Sequence, residues 1–335
     1  MPLNILVTGA TGFVGGHVAE ACVARGHAVR TIARPSSDTA LLDQLGVAIH
    51  RGDLTDPETV RKAVEGIDAI VHCAAKVGDW GPVEDYRPVN VDALRSLLEA
   101  CYNKPLKRFI HISSLGVYSA RHHYGTDENE PLPPRHMDGY TQTKVEAEHL
   151  ALDAHRLHGT PVVVLRPGFI YGPRDRTVLP KLAANLKRGV VRYISDPSKL
   201  AMNTIYIGNL VDAIFLALDH PEAVGQVYNL TDGEFVSKRR FFETIADGLG
   251  LPRPSGRVPL FMAKLIARVL EGRARRRGHK TPPRVTQARV KLIGLNLDFS
   301  IEKAKRDLGY SPRVNFEQGM KETLDWFKAQ EPKPV

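Results

Sequence analysis

The chain has 335 residues, a quarter of them charged, and a formal net charge of +9. That length holds one large α/β domain or a domain with an attached lobe, and the apolar fraction excludes a disordered chain. The positive balance favours anionic partners: a phosphorylated cofactor, a membrane surface or nucleic acid. Met1 is followed by "LNILVTG", an apolar run too short for a signal-peptide core. No stretch of about 18 uncharged apolar residues marks a transmembrane helix. Cys22, Cys73 and Cys101 are widely spaced in apolar surroundings and suggest neither a metal site nor a disulfide framework. A reducing cytoplasm is the expected setting.

Elements alternate along the first half. "NILVTGA" reads as a buried strand and residues 13–25 as a helix ending near Gly26. "AVRTIAR" and "VAIHRGDL" are strands, "ETVRKAVEG" a helix, and "DAIVHCAA" a strand. A helix over 89–102, a strand at "RFIHISS", a helix over 140–157 and a strand at "PVVVLRPG" follow. Such alternation implies right-handed crossovers and a doubly wound parallel sheet. The expected division places residues 1–174 in this α/β domain, with 205–232 returning to it. Residues 175–204 and 233–330 would form a smaller substrate lobe, and the terminal "EPKPV" a frayed tail.

"TGATGFVGGH" sets Gly9, Gly12 and Gly15 between a strand and a helix. Small residues there let backbone approach a pyrophosphate, whose charge the helix N-terminus stabilises. At the first strand–helix turn of a βαβ series, this spacing points to a dinucleotide. The end of the second strand reads "RTIARPSSD". Ala33 stands where an acid would bind the ribose of NAD, and Arg34 follows it, with Ser36 and Ser37 as added donors. This favours NADP over NAD. Arg30 competes for the role, Asp38 lies a few residues late for the ribose, and the alternative for Arg34 is a solvated charge. Asp53 in "RGDLTD" is placed to accept from the adenine amino group or to cap the next helix, although Thr55 or Asp56 suits a cap better.

Tyr140 and Lys144 lie four apart and share a helix face. Alone, that pair is an ordinary surface contact. Seven ordered motifs give it another meaning: "TGATGFVGG", "GDL", "HCAA", "NVDALRSLLEA", "ISSLGVY", "YTQTK" and "RPGFIYGP". Over nearly its whole length the chain resembles the extended short-chain dehydrogenase/reductase family. The resemblance implies a Rossmann domain with a C-terminal substrate lobe. It also implies that Tyr140 and Lys144 are the proton donor and the ammonium that activates it. A free Tyr has a pKa of about 10, and a neighbouring cation favours its phenolate. Lys144 would also bind the nicotinamide ribose. Ser114 matches the family's catalytic Ser, with Ser113 the near alternative. Asn90 matches its helix Asn, in a structural or relay role or as a cap. Thr11, Phe13, Val14, Leu54, Ala74 and Ala75 fall within the cofactor motifs. Pro167, Gly168 and Phe169 follow the last strand, where backbone groups should meet the nicotinamide carboxamide. The resemblance further implies a homodimer through the helices at 89–102 and 140–157.

Departures narrow the branch. "SSLGVY" lacks the acid of dehydratases, since Leu115 and Gly116 stand there. Sugar-nucleotide epimerases carry Asn where this chain has Phe169 and an Arg where it has Met202. Losing both diphosphate contacts suggests an apolar substrate. "AAKVGDWGPVEDY", "GQVYNLTDGEFVS" and "VNFEQGMKETLDWF" resemble the 3β-hydroxysteroid dehydrogenase-like branch, which includes reductases of long-chain β-keto acids. In the loop after the fourth strand, Trp80 would form an apolar wall or a core anchor, and Lys76 would meet a substrate carboxylate. The expected activity is interconversion of a secondary alcohol and a ketone. Its rivals are a sugar-nucleotide epimerase or reductase and a non-catalytic cofactor-sensing regulator.

Residues 258–280, "VPLFMAKLIARVLEGRARRRGHK", read as a helix that is apolar and partly basic at its start (Leu260, Phe261, Lys264, Leu265) and basic at its end (Arg273, Arg275, Arg276, Arg277). The apolar residues are expected to pack within the lobe. Peripheral membrane contact by the arginine cluster is the alternative use of the charge. No nucleic-acid-binding module accompanies it, so nucleic acid is not expected as a partner.

Overall fold

The computed structural model describes residues 1–279 and 281–330. In chain order its first elements are β1 (Asn4–Thr8), α1 (Phe13–Ala24), β2 (Ala28–Ala33), α2 (Ala40–Gln44), β3 (Ala48–Arg51), α3 (Pro57–Ala63) and β4 (Ala69–His72). There follow α4 (Ala93–Glu99), β5 (Arg108–Ile112), β6 (His123–Thr126), α5 (Gly139–His158), β7 (Val162–Pro167) and β8 (Phe169–Tyr171). Next come α6 (Val178–Lys187), β9 (Tyr193–Ile194), β10 (Thr204–Tyr206), α7 (Ile207–Asp219), β11 (Val227–Leu230) and α8 (Lys238–Gly248). The last are β12 (Arg257–Val258), α9 (Leu260–Arg276), α10 (Gln287–Gly294), β13 (Leu297–Phe299), α11 (Glu302–Leu308) and α12 (Phe316–Gln330).

Seven strands form one parallel sheet in the order β11-β7-β5-β4-β1-β2-β3. This is a doubly wound α/β sheet, and its order reverses between β1 and β4, where the carboxyl ends open a crevice. Strand residues alternate between two helical layers, as the period of two requires. Ile5, Val7, Val71, Ile110 and Leu165 share one core with Val18 and Cys22 of α1 and Leu210 and Ile214 of α7. Leu6, Ile70, Phe109 and Val164 share the other with Val60, Leu97, Ala147 and Ala151. Burial on both faces explains why these strands read as unbroken apolar runs. β11 lies at the sheet edge beside β7, with Val227 opposite Val164.

Local signals set the helices. Asp56 caps α3 by accepting from the Glu58 and Thr59 amides, with Pro57 at the first position. Asp138 caps α5 through the Thr141 amide at 2.7 Å, and Gly159 ends it at φ +66°. The helix expected over 89–102 differs. It opens as a π-helical turn at Pro88–Asp92 and its α part ends at Glu99. The distortion turns Asn90 inward, and this residue recurs in the site below. Short parallel pairs β8–β10, β9–β12 and β6–β13 join the remaining segments. Among the described residues no helix is long and apolar enough to cross a membrane. The tail "EPKPV" and Lys280 lie outside the described residues.

Candidate active site

The crevice between β1 and β4 is floored by glycine. Gly9 has φ +71°, and a Cβ there would sit 2.9 Å from Ala74 backbone, so the turn after β1 and the segment after β4 touch main chain to main chain. A Cβ on Gly15 would stand 2.3 Å from the Gly9 carbonyl oxygen. Gly12 is the N-cap of α1 with no side-chain cap, and the first turn carries no acid. The helix start therefore offers unsatisfied amides to an anion. Thr11 and Gly12 are exposed there, with Phe13 and Val14 half-buried beside them. The Ala74 amide donates to the Thr8 hydroxyl at 3.3 Å, with Ala75 next in line. These features fit the pyrophosphate of a dinucleotide.

At the adenosine end Ala33 is buried and Arg34 exposed. Arg51, at the end of β3 opposite Ala33, donates to the Arg34 carbonyl and, at 2.8 Å, to the Thr39 hydroxyl. It is a second cation beside Arg34 that motif reading missed, since only the strand register brings the two together. Arg30 is committed elsewhere, donating to the carbonyls of Ala63 and Glu65 at the end of α3. Asp38 accepts from the Ala40 amide. Asp53 is exposed and accepts from the Thr55 amide and hydroxyl, which holds its carboxyl below the usual range. Leu54 packs against the core behind it.

At the other end stand Ser114, Tyr140 and Lys144. Ser113 and Ser114 part company. The Ser113 hydroxyl is buried and donates to Glu148 at 2.7 Å, whereas Ser114 is half-exposed and accepts from the Gly116 amide at 3.0 Å. Ser114 is thus the serine that faces the site, with its own hydroxyl proton free to donate. Tyr140 is pushed up to about 12, first by burial and then by the Asp138 carboxylate; the Ser114 hydroxyl beside it acts in the opposite direction. Lys144 is 4 % exposed and donates to the Ile112 carbonyl. Burial brings it down to about 8, against a pull upward from Glu148. The expected tuning of Tyr140 by Lys144 is not the arrangement found, because the ammonium is turned to the end of β5.

Beneath this trio lie buried polar contacts whose pairings, Asn90's included, the motifs did not reveal. Glu148, one turn past Lys144, is 1 % exposed and pairs with Arg166 of β7. Arg166 also donates to the Tyr118 hydroxyl at 2.6 Å, and Tyr118 donates to Asn229 at 2.9 Å. Asn90, 2 % exposed, accepts from the Lys76 amide at 2.7 Å and donates to the Lys76 carbonyl and the Thr143 hydroxyl. It is a positioning residue that ties the loop after β4 to α5.

Several expected contacts are placed differently. Of the backbone groups expected to meet the nicotinamide carboxamide, the Gly168 and Phe169 amides are engaged, donating to the Leu230 and Asn203 carbonyls. A Cβ on Gly168 would collide with Asn203 at 2.0 Å, so this crossing is tight. Pro167, just before it, closes the buried run of β7. Phe169 and Met202, expected to contact an apolar substrate, pack against α8. The Phe169 ring meets Phe241 edge-on at 5.4 Å, and both line a small apolar gap with Tyr171, Leu179 and Ile245. Met202 is 3 % exposed, with its sulfur 3.9 Å from the buried Lys238 ammonium. Shape, not polarity, fixes both, because each fills the joint between the sheet and α8. Lys76 is exposed, its ammonium 5.4 Å from the Tyr86 ring. Trp80 straps its loop to the far end of α9. Its indole donates to the His279 carbonyl at 3.0 Å, and Arg275 lies over its ring. Asp79 adds an ion pair with Arg289 at 2.6 Å and accepts from Thr286.

A glycine turn for a dinucleotide and a Tyr–Lys–Ser group at the same sheet edge define an oxidoreductase of the nicotinamide-dependent class. Residues 5–231 match the model of the NAD dependent epimerase/dehydratase family. The chain belongs to that family, within the extended short-chain dehydrogenase/reductase group, and is an NAD-dependent dehydrogenase or reductase. It is 32% identical to a 2-alkyl-3-oxoalkanoate reductase of Shewanella oneidensis, over 95% of this chain and 84% of that one. It is 32% identical to a 3-beta-hydroxysteroid dehydrogenase of Mycolicibacterium neoaurum, over 97% and 91%. Its fold matches that of UDP-glucuronic acid 4-epimerase from Bacillus cereus in complex with NAD, with a TM-score of 0.75, 25% identity and 98% and 99% coverage.

Proposed function

We propose that this chain reduces a ketone on an apolar molecule, such as a steroid-like compound or a long-chain β-keto acid, or oxidises the corresponding secondary alcohol, with NADP as its preferred cofactor. The observation that carries the reading is the Ser114 hydroxyl beside Tyr140, with Lys144 one turn further along α5. When bound, the nicotinamide supplies or accepts the hydride. Ser114, already accepting from Gly116, has its hydroxyl proton to donate to the substrate oxygen. Tyr140, held near 12, stays protonated at neutral pH and is therefore a proton donor suited to reduction. Lys144 keeps two further N–H donors beyond the one used by Ile112, enough for ribose hydroxyls.

The activities named for the two relatives support an apolar keto or hydroxy substrate. The missing Asn and Arg of the epimerase pattern, at Phe169 and Met202, speak against a sugar nucleotide. Ala33 with Arg34 and Arg51 supports NADP. A homodimer through α4 and α5 belongs to the same reading, and light scattering checks it. The test is oxidation of NADPH or NADH by purified protein with a 3-ketosteroid, a long-chain β-keto acid, an aromatic ketone and a UDP-sugar. Turnover of an apolar ketone with NADPH is expected. Tyr140→Phe should lose about 10²- to 10⁴-fold in kcat with NADPH binding unchanged. Full activity in that variant, or conversion of the UDP-sugar alone, would overturn the reading. Cofactor binding without turnover of any ketone would favour a sensor.

A further inference from the structure

Helix α9 is turned inside out. Ala263, Ala267 and Ala274 face inward and are 4, 0 and 5 % exposed, the first two packing with Ile194 and Val290. Glu271, also inward, accepts from the Gln287 amide and side chain. The large apolar side chains point to the opposite side: Phe261 is 71 % exposed, Leu265 61 %, and Met262, Ile266 and Val269 between 42 and 43 %. At roughly 100° per residue these five span about 140° of the helix surface, opposite the alanines. The sequence alone led to the reverse expectation, that the apolar residues pack and only the arginines meet solvent. A contiguous apolar stripe of this kind on an exposed helix marks an interaction surface.

The charges around the stripe choose the partner. Lys264 and Arg268 border it on one side, and Arg273, Arg276 and Arg277 crowd its C-terminal end, all exposed. The acid of this helix, Glu271, is turned inward. A second copy of α9 laid on the first would set cations against cations. Anionic headgroups complement the rim, and acyl chains complement the stripe. We propose that α9 docks flat on an anionic lipid bilayer, with Phe261 and Leu265 inserted below the headgroups and the C-terminal arginines held at their level. The Trp80–His279 and Asp79–Arg289 contacts strap the loop after β4 to the segment that follows this helix. Docking thus brings that loop to the membrane surface, where an apolar substrate enters from the acyl phase. This last consequence rests on the proposed substrate class; the docking itself does not.

The experiment is co-sedimentation of the purified chain with vesicles of phosphatidylcholine, with and without phosphatidylglycerol. Binding should rise about tenfold or more with the anionic lipid and fall with salt. The double variant Phe261→Ser/Leu265→Ser should lose about tenfold or more of the binding, with NADPH binding and far-UV circular dichroism unchanged. Both readouts are independent of any ketone, so a wrong substrate class does not affect them. Equal sedimentation of the double variant, or none of the wild type at low salt, would overturn the proposal. So would a two-chain mass in light scattering that falls to one in the double variant without vesicle binding, since that assigns the stripe to a second copy.

Discussion

Neutralising Glu148 should damage both the stability and the pH profile of this protein. Glu148 and Arg166 are 1 % and 4 % exposed, and the Glu148 carboxylate also accepts from Ser113. In Glu148→Gln the guanidinium loses its counter-charge but stays buried. Breaking a buried pair on one side costs about 3–5 kcal/mol, because the remaining ion is uncompensated. Against a total stability of about 5–15 kcal/mol, that is a large share. In urea, with a slope of about 2–3 kcal/mol/M, the unfolding midpoint followed by circular dichroism should fall by more than about 1 M. The double variant Glu148→Gln/Arg166→Met removes both charges and should recover part of the loss. Glu148 also pulls the Lys144 ammonium upward against burial. Without that pull Lys144 releases its proton below about 8, so the alkaline limb of turnover should move to lower pH. A loss under about 1 kcal/mol, or a double variant no more stable than the single, would refute the reasoning.

Other outcomes follow from the same geometry. Arg34→Ala and Arg51→Ala should each raise the KM for NADPH by about 10- to 100-fold, the worth of a charged hydrogen bond, while leaving NADH nearly unaffected; steady-state kinetics with both cofactors reads this. Ketone reduction should be level between about pH 6 and 7, because Tyr140, held near 12, keeps its proton and Lys144, near 8, keeps its charge. It should fall as pH passes about 8, where Lys144 becomes neutral, and a rise through that range in a kcat profile would contradict the assignment. Gly15→Ala should abolish NADPH binding measured by fluorescence, since its Cβ would enter the Gly9 carbonyl at 2.3 Å and push the turn off α1.

The sequence by itself determined the parallel sheet and the glycine turn, and it marked Tyr140, Lys144 and Ser114 as the candidate trio. Those features are local: apolar runs of strand length, a glycine spacing at one turn, and a Tyr and Lys four apart on one helix. Ser114 was preferred to Ser113 on resemblance alone, because adjacent strand-end residues point opposite ways and only packing shows which one meets Glu148. Arg51 reaches Arg34 through strand register, and Arg166 reaches Glu148 across the sheet–helix layer; neither pairing has a sequence spacing. Phe169 and Met202 looked like pocket walls because their identities depart from an epimerase pattern, yet the fit of α8 against the sheet pulls both inward. In α9 the apolar periodicity was plain, but an amphipathic helix has two ways to face. The tertiary structure decided between them, since only small side chains fit the narrow gap beside Ile194 and Val290, and the large ones were left outside.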